Sequence, residues 1–205
     1  MFAITADQVD SRNTPDLADD ALRLVAELGG DRLALPPDRT AGDEVQAVTA
    51  DADAALTIVL GLLRTGSWRV GLGIGDVETP LPAATRAARG TAFIAARAAI
   101  ESAKRRPSRF AAEGGSGAGV QPLIDLLLAL RERRSSEGWQ LFDLLESGHR
   151  QQDAAALLGI TPQAASRRAQ AAGIRLDRAA RPALAAVLAA ADGTPPADVA
   201  RAGED

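Results

Sequence analysis

The chain contains no cysteine. That excludes disulfides, thiolate metal sites and cysteine nucleophiles, and it accords with a reducing cytoplasm. Aromatic residues make up only 3% of the 205 positions, so a core must be built from Ala, Leu, Val and Ile, and helices packed through Ala approach closely. Histidine occurs once, as His149, and without partners it is assigned no chemistry. Lys104 is the sole lysine among 23 basic residues. That arginine bias follows genomic base composition and carries no functional weight. No apolar run reaches the roughly 18 residues a membrane span needs. The N-terminus lacks a charged segment followed by an apolar one, so no secretory signal is expected. These absences lead to the expectation of a cytoplasmic protein with no membrane partner.

What is present is globular in composition: 46% hydrophobic and 24% charged residues. The length suffices for one large or two small cores. The formal net charge of -4 is unevenly spread. Residues 1–113 hold 13 basic and 16 acidic side chains, residues 131–181 hold 9 and 6. The second stretch has the sign expected of a segment that meets phosphate.

Residues 2–7 read as a buried strand. Asn13-Thr14-Pro15-Asp16 supplies a helix start, and the helix runs to Gly29-Gly30. Leu33-Ala34-Leu35 is a short strand stopped by Pro36-Pro37, and a turn leads to a strand over 44–49. Asp51 to Arg64 forms a helix with Ala55, Ile58, Val59 and Leu62 inward. Trp68 to Gly75 alternates as a strand. This is a β-α-β-β-α-β order, and a further helix spans about 86–104. The glycines of Val70-Gly71-Leu72-Gly73-Ile74-Gly75 lie within a strand, so they are not a dinucleotide fingerprint, which opens a helix. The Gly/Ser-rich residues 114–119 read as a linker. Helices are expected at 120–134, 137–147, 151–158, 162–172 and 178–191, and residues 192–205 as a disordered tail. The expected domains are therefore 1–113 and 120–191.

Residues 150–173 have helix-turn-helix spacing. Ala155 is small where two helices cross, Gly159 supplies a left-handed turn, and Ile160 plugs the gap. Thr161 caps a second helix with Pro162 in its first position, and Ala165 is its inner contact. Gln163, Ser166, Arg167 and Gln170 then face outward, where a recognition helix meets base edges. Arg reads guanine and Gln reads adenine in the major groove. Arg150, Arg168 and Arg175 are assigned to phosphates. An ordinary helical hairpin in a small bundle is the alternative. No alternating hairpin of a wing follows Gly173.

At the other end, Asp7 closes the first strand and Asp43 opens the third. In the β-α-β-β-α-β unit those strands are antiparallel neighbours, which brings the two carboxylates together. Such a pair is a seat for magnesium, which takes few protein carboxylates and keeps room for phosphate oxygens. Strand-end and turn chemistry is the alternative for both residues.

The stretches Phe2-Ala3-Ile4-Thr5-Ala6-Asp7, Gly42-Asp43, Arg69-Val70-Gly71-Leu72-Gly73-Ile74-Gly75-Asp76 and Ala95-Ala96-Arg97 resemble a class III nucleotide cyclase catalytic domain, a relative of the GGDEF fold. The likeness covers roughly residues 1–104. The run from Gly90 to Glu101 and the run from Ala164 to Gly173 resemble the SatD family, a bacterial group, over nearly the whole chain. The cyclase likeness implies that Asp7 and Asp43 hold magnesium over a triphosphate. It implies that Arg39 stands in the base-contacting position and Arg97 in the transition-state position. The asparagine four residues before that arginine is replaced by Phe93, which removes a group that orients the ribose and counts against turnover.

The expected fold class is α+β: a ferredoxin-like, cyclase-like sandwich followed by a small all-α helix-turn-helix domain. The favoured function is a transcriptional regulator that binds double-stranded DNA. Its catalytically degenerate cyclase-like domain senses a nucleotide or cyclic nucleotide, forms a homodimer, or both. A metal-dependent nucleotide-processing enzyme with a helix-turn-helix docking module is one alternative, and an oligomeric scaffold is another.

Overall fold

The computed structural model describes residues 1–40, 42–115 and 119–193. Among these the chain is α+β, with one five-stranded mixed sheet and eight α-helices. The elements in chain order are β1 (Phe2–Gln8), α1 (Ala18–Gly29), β2 (Leu33–Arg39), β3 (Glu44–Thr49), α2 (Ala52–Arg64), β4 (Trp68–Ile74), α3 (Thr91–Ala103), β5 (Phe110–Gly114), α4 (Val120–Glu132), α5 (Ser136–Glu146), α6 (Gln151–Leu157), α7 (Pro162–Ala171) and α8 (Ile174–Ala191). Two compact units divide the chain: Met1–Leu123 with the residues from Leu184 onward, and Ile124–Ala183. The division falls inside α4 and α8, so both ends of the expected 120–191 segment group with the sheet. No described helix is long and apolar enough to cross a membrane.

In the first unit the sheet order is β2-β3-β1-β4-β5. β1 lies antiparallel between β3 and β4, and β5 runs parallel to β4. Alternation along the strands sets the two faces. Phe2, Ile4, Ala6, Val70, Leu72 and Ile74 share one face and are buried, and α1 and α2 pack on that side. Asp51 caps α2 by accepting from the amide of Ala54 at 2.8 Å. The other face carries Ala3, Gly71 and Gly73, and α3 lies on it. The strand glycines are what let it do so. A Cβ at Gly73 would lie 2.0 Å from the carbonyl oxygen of Ala92 and 2.3 Å from the amide of Ala96. α3 answers with Ala92, Ala96, Ala99 and Ala103, all buried. Backbone therefore meets backbone, as the Ala-rich composition suggested.

Several boundaries differ from those expected. α1 starts at Ala18, not at the 13–16 segment, because the buried Gln8 side chain holds that segment as a loop. Its amide donates to Thr14 Oγ1 at 2.9 Å and to the Pro15 carbonyl at 2.7 Å, and its Oε1 accepts from Leu17 at 3.0 Å. β2 does not stop at Pro36-Pro37. It is an edge strand, where proline is tolerated, and its register shifts twice on the way to Arg39. α3 begins at Thr91, after a loop that contains only a short 3₁₀ turn at Thr85–Ala87. β5 was not expected, and its end takes in Gly114 of the expected linker. A Cβ there would sit 2.2 Å from the Ile74 carbonyl oxygen, at φ +83°. Residues 116–118 of that linker, and 194–205 of the expected tail, lie outside the described residues. α8 begins at Ile174 rather than 178, which turns the short Ile174-Arg175-Leu176 run into helix.

Candidate functional site

The second unit is built round α5, α6 and α7. Leu141, Phe142, Leu145, Ala154, Ala172 and Ile174 form its apolar core. α6 ends in a reciprocal backbone pattern. The Gly159 amide donates to Ala156 at 3.1 Å and the Ile160 amide to Ala155 at 3.0 Å, with Gly159 at φ +65°. This is a Schellman closure, and glycine suits its left-handed position. Thr161 Oγ1 accepts from the Ala164 amide at 3.1 Å, and Pro162 opens α7. Ala155 and Ala165 are buried between helices. Replacing Thr161 with Ala should cost about 1 kcal/mol of unit stability, read as a lower midpoint in urea with unchanged slope.

Gln163, Ser166, Arg167 and Gln170 are all exposed on α7, and Arg168 is half-buried. Arg150 sits exposed at the N-cap of α6, and Arg175 is exposed in the first turn of α8. Among the described residues none of Arg150, Arg167 and Arg175 is held in an ion pair. His149 is exposed, with Nδ1 3.1 Å from both Ser147 Oγ and the Leu144 carbonyl, a local turn contact.

Sequence reasoning missed what anchors α7. Asp177 is fully buried and accepts from Arg131 Nε at 2.8 Å, Arg131 Nη2 at 2.9 Å and Arg134 Nη2 at 2.8 Å. Arg134 Nε donates to the Ala172 carbonyl at 2.9 Å, at the C-terminus of α7. The Arg134 guanidinium also lies 4.3 Å from the Trp139 ring centroid and 4.5 Å from that of Phe142. Burial alone would push the Asp177 carboxyl up. The Arg131 and Arg134 guanidiniums outweigh it and hold it below the usual carboxylate range. Arg131 at the end of α4 and Arg134 just beyond it look like surface residues in sequence, and Asp177 is 43 residues beyond Arg134.

In the first unit, Asp7 pairs in register with Glu44 across β1–β3, and Asp43 precedes Glu44. Asp7 and Asp43 line one cleft of about 530 Å³, with Asp10, Ser11, Asn13 and Arg69. Both residues thus line one cleft, with Glu44 rather than Asp43 opposite Asp7 in the strand register. Arg69, which sequence reasoning passed over, faces Asp7 on β4 and donates to its Oδ2 at 3.2 Å. Lys104 is held above its ordinary value, first by its bond to Glu101, with the Asp7 carboxylate a lesser cause. Among the described residues no group of three or more His, Cys, Asp or Glu could hold a metal ion. Any ion on this pair would have to bring most of its ligands with it and would compete with Arg69 for Asp7.

Arg39 lies beside Asp43 in the turn before β3, and Arg97 lies elsewhere. Arg39 donates to Asp16 at 2.7 Å and to the Gly42 carbonyl at 2.6 Å, and it does not line that cleft. Arg97 lines a different cleft beside the start of α3. Asp7 and Asp43 line one cleft and Arg97 another. Comparison with protein-family models, curated proteins and solved structures finds no match for this chain.

Proposed function

We propose that this protein is a DNA-binding transcriptional regulator, with α7 as its recognition helix and the sheet unit as a sensing or dimerising module. The observation that carries the reading is on α7. Four polar side chains stand exposed on a helix capped by Thr161 and held at its far end by Arg134, and among the described residues Arg150, Arg167 and Arg175 are not held in ion pairs. Arg167 suits guanine and Gln163 or Gln170 suits adenine, while Arg150, Arg168 and Arg175 suit phosphates. The strand order β2-β3-β1-β4, joined as β-α-β-β-α-β, supports a ferredoxin-like, cyclase-like sheet unit. Cytoplasmic location and a homodimer that reads paired half-sites accompany this reading.

The sheet unit suits sensing better than turnover. Arg69 neutralises one of the two carboxylates, and Phe93 stands where cyclases carry a polar group. Magnesium, if bound by Asp7 and Asp43, would offer charge to a phosphate-bearing ligand. Arg69 sets the resting charge of that pair.

Titrating fluorescent duplexes at several salt concentrations tests the DNA reading. Affinity should fall steeply with salt, and Arg167→Ala should cost about 1–3 kcal/mol on a preferred site while random duplex loses less. Equal losses on both would confine Arg167 to phosphate. No binding to any duplex at low salt would remove the reading.

A further inference from the structure

Residues 1–113 are slightly acidic when summed along the chain, but the sheet does not spread that charge evenly. β4 and β5 are parallel neighbours, with Val70 opposite Phe110. The segments that lead into them, residues 64–69 and 104–109, therefore enter the sheet at the same end. Those segments carry Arg64, Arg69, Lys104, Arg105, Arg106 and Arg109, and no acidic residue occurs within 64–69 or 102–112. Arg64, Lys104, Arg105 and Arg106 are exposed, and Arg69 and Arg109 are half-buried.

The two segments are tied to each other. The Val70 amide donates to the Arg109 carbonyl at 2.8 Å, and Arg109 Nη1 donates to the Gly66 carbonyl. Arg109 takes φ +54°, a left-handed conformation uncommon for arginine, and its amide closes the turn on the Arg106 carbonyl at 3.0 Å. Two carboxylates are set against the cations. Asp7 accepts from Arg69 at 3.2 Å, and Glu101 accepts from Lys104 at 2.7 Å and also faces Arg105. Even with the cleft beyond Arg69 included, where Asp10 and Asp43 lie with Arg12, seven cations stand against four acids. The C-terminal ends of α2 and α3 account for Arg64 and Lys104, since a cation there meets the negative end of the helix dipole. They do not account for Arg105, Arg106 and Arg109. Like charges gathered in this way repel one another and disfavour the compact state, and an anionic partner relieves the cost.

We infer that this end of the sheet is a second DNA-binding surface, which holds the phosphate backbone of a duplex and reads no sequence. Duplex DNA carries one negative charge per about 1.7 Å of its axis, so a cluster of cations meets several phosphates at once. Five of the six cations are arginines, whose planar fork matches phosphate oxygens. An anionic membrane fits less well. Trp68 and Phe110 are buried, and neither segment exposes a large apolar side chain that could insert. The inference goes beyond the reading of α7, because it gives the sheet unit a nucleic-acid contact of its own.

The test is binding of the full chain to a random-sequence duplex at several salt concentrations, for the wild type and for Lys104→Gln combined with Arg105→Gln and Arg106→Gln. The triple variant should bind about tenfold or more weakly at low salt, and its plot of log affinity against log salt should be shallower by about 2–3. All three side chains are exposed, and a second readout needs no variant. In the wild type, bound random duplex should slow hydrogen exchange in peptides that cover residues 102–110. A triple variant that keeps both affinity and slope would overturn the inference. So would bound duplex that leaves exchange at 102–110 unmoved, or capture of vesicles rich in anionic lipid by a chain that binds no duplex. The recognition-helix reading fails separately. Duplex binding that survives Arg150→Ala, Arg167→Ala and Arg175→Ala together, yet is lost in the triple variant, keeps this surface and removes α7 from the DNA.

Discussion

Asp177→Ala should unfold the unit Ile124–Ala183 at temperatures the wild type survives. The carboxylate is fully buried and is the shared acceptor of Arg131 and Arg134. Removing it leaves two guanidiniums in an apolar setting, one of them fully enclosed. Breaking a buried pair in this way costs about 3–5 kcal/mol, a large part of the stability of a small unit. The loss should be local. Hydrogen exchange should show amides of α5 to α7 losing protection while β1, β3 and β4 keep theirs. Replacing Arg131, Arg134 and Asp177 with apolar residues, Arg131→Met, Arg134→Met and Asp177→Leu, should restore part of the loss, because the remaining arginine of the cluster, Arg181, keeps its pair with Glu146. An Asp177→Ala unit as stable as wild type would show that the cluster contributes nothing.

The same cluster sets an acid limit. The folded Asp177 carboxyl titrates below its unfolded value, ordinarily about 3.9. Its contribution is therefore fully present above about pH 4 and is lost as pH falls through the folded value. Wild-type stability of the helical unit should drop across that window. In Asp177→Asn the drop should be smaller, since that titration is gone.

Gly73→Val should be the most damaging single change in the sheet unit. The added Cβ would overlap the Ala92 carbonyl and the Ala96 amide, both backbone atoms that no side-chain rotation can clear. α3 must lift from β4 or the sheet must bend. Overpacking typically costs about 1–3 kcal/mol, and rigid backbone on both sides places this case at or above the upper end. Gly73→Ala should act in the same direction with a smaller loss. Chemical denaturation followed by far-ultraviolet circular dichroism measures both. An unchanged midpoint for Gly73→Val would mean that α3 does not rest on the strand.

These two cases mark what could be read in the sequence. The alternation of Val70, Leu72 and Ile74 identified β4, but nothing local said that Gly71 and Gly73 faced a helix. That required α3 to be placed on the sheet, a long-range event. The antiparallel pairing of β1 with β3, which puts Asp7 and Asp43 on one cleft, was legible because β-α-β-β-α-β order carries topology. Arg69 was not, because its partner lies 62 residues away on another strand. The turn between α6 and α7 was legible to the residue, since Gly159, Thr161 and Pro162 act through local backbone geometry. Asp177 was invisible because one acid in a helical pattern reads as surface. The early end assigned to β2 came from treating Pro36-Pro37 as a stop, when an edge position removes the objection to proline.

The central claim is that α7 reads DNA bases. The most direct measurement is selection of duplexes from a random-sequence library by the purified chain, repeated with Arg167→Ala. The account predicts enrichment of a defined motif by the wild type, with a guanine preference that the variant loses at one position of each half-site. Random duplexes recovered by both proteins, or one motif recovered equally by both, would contradict it.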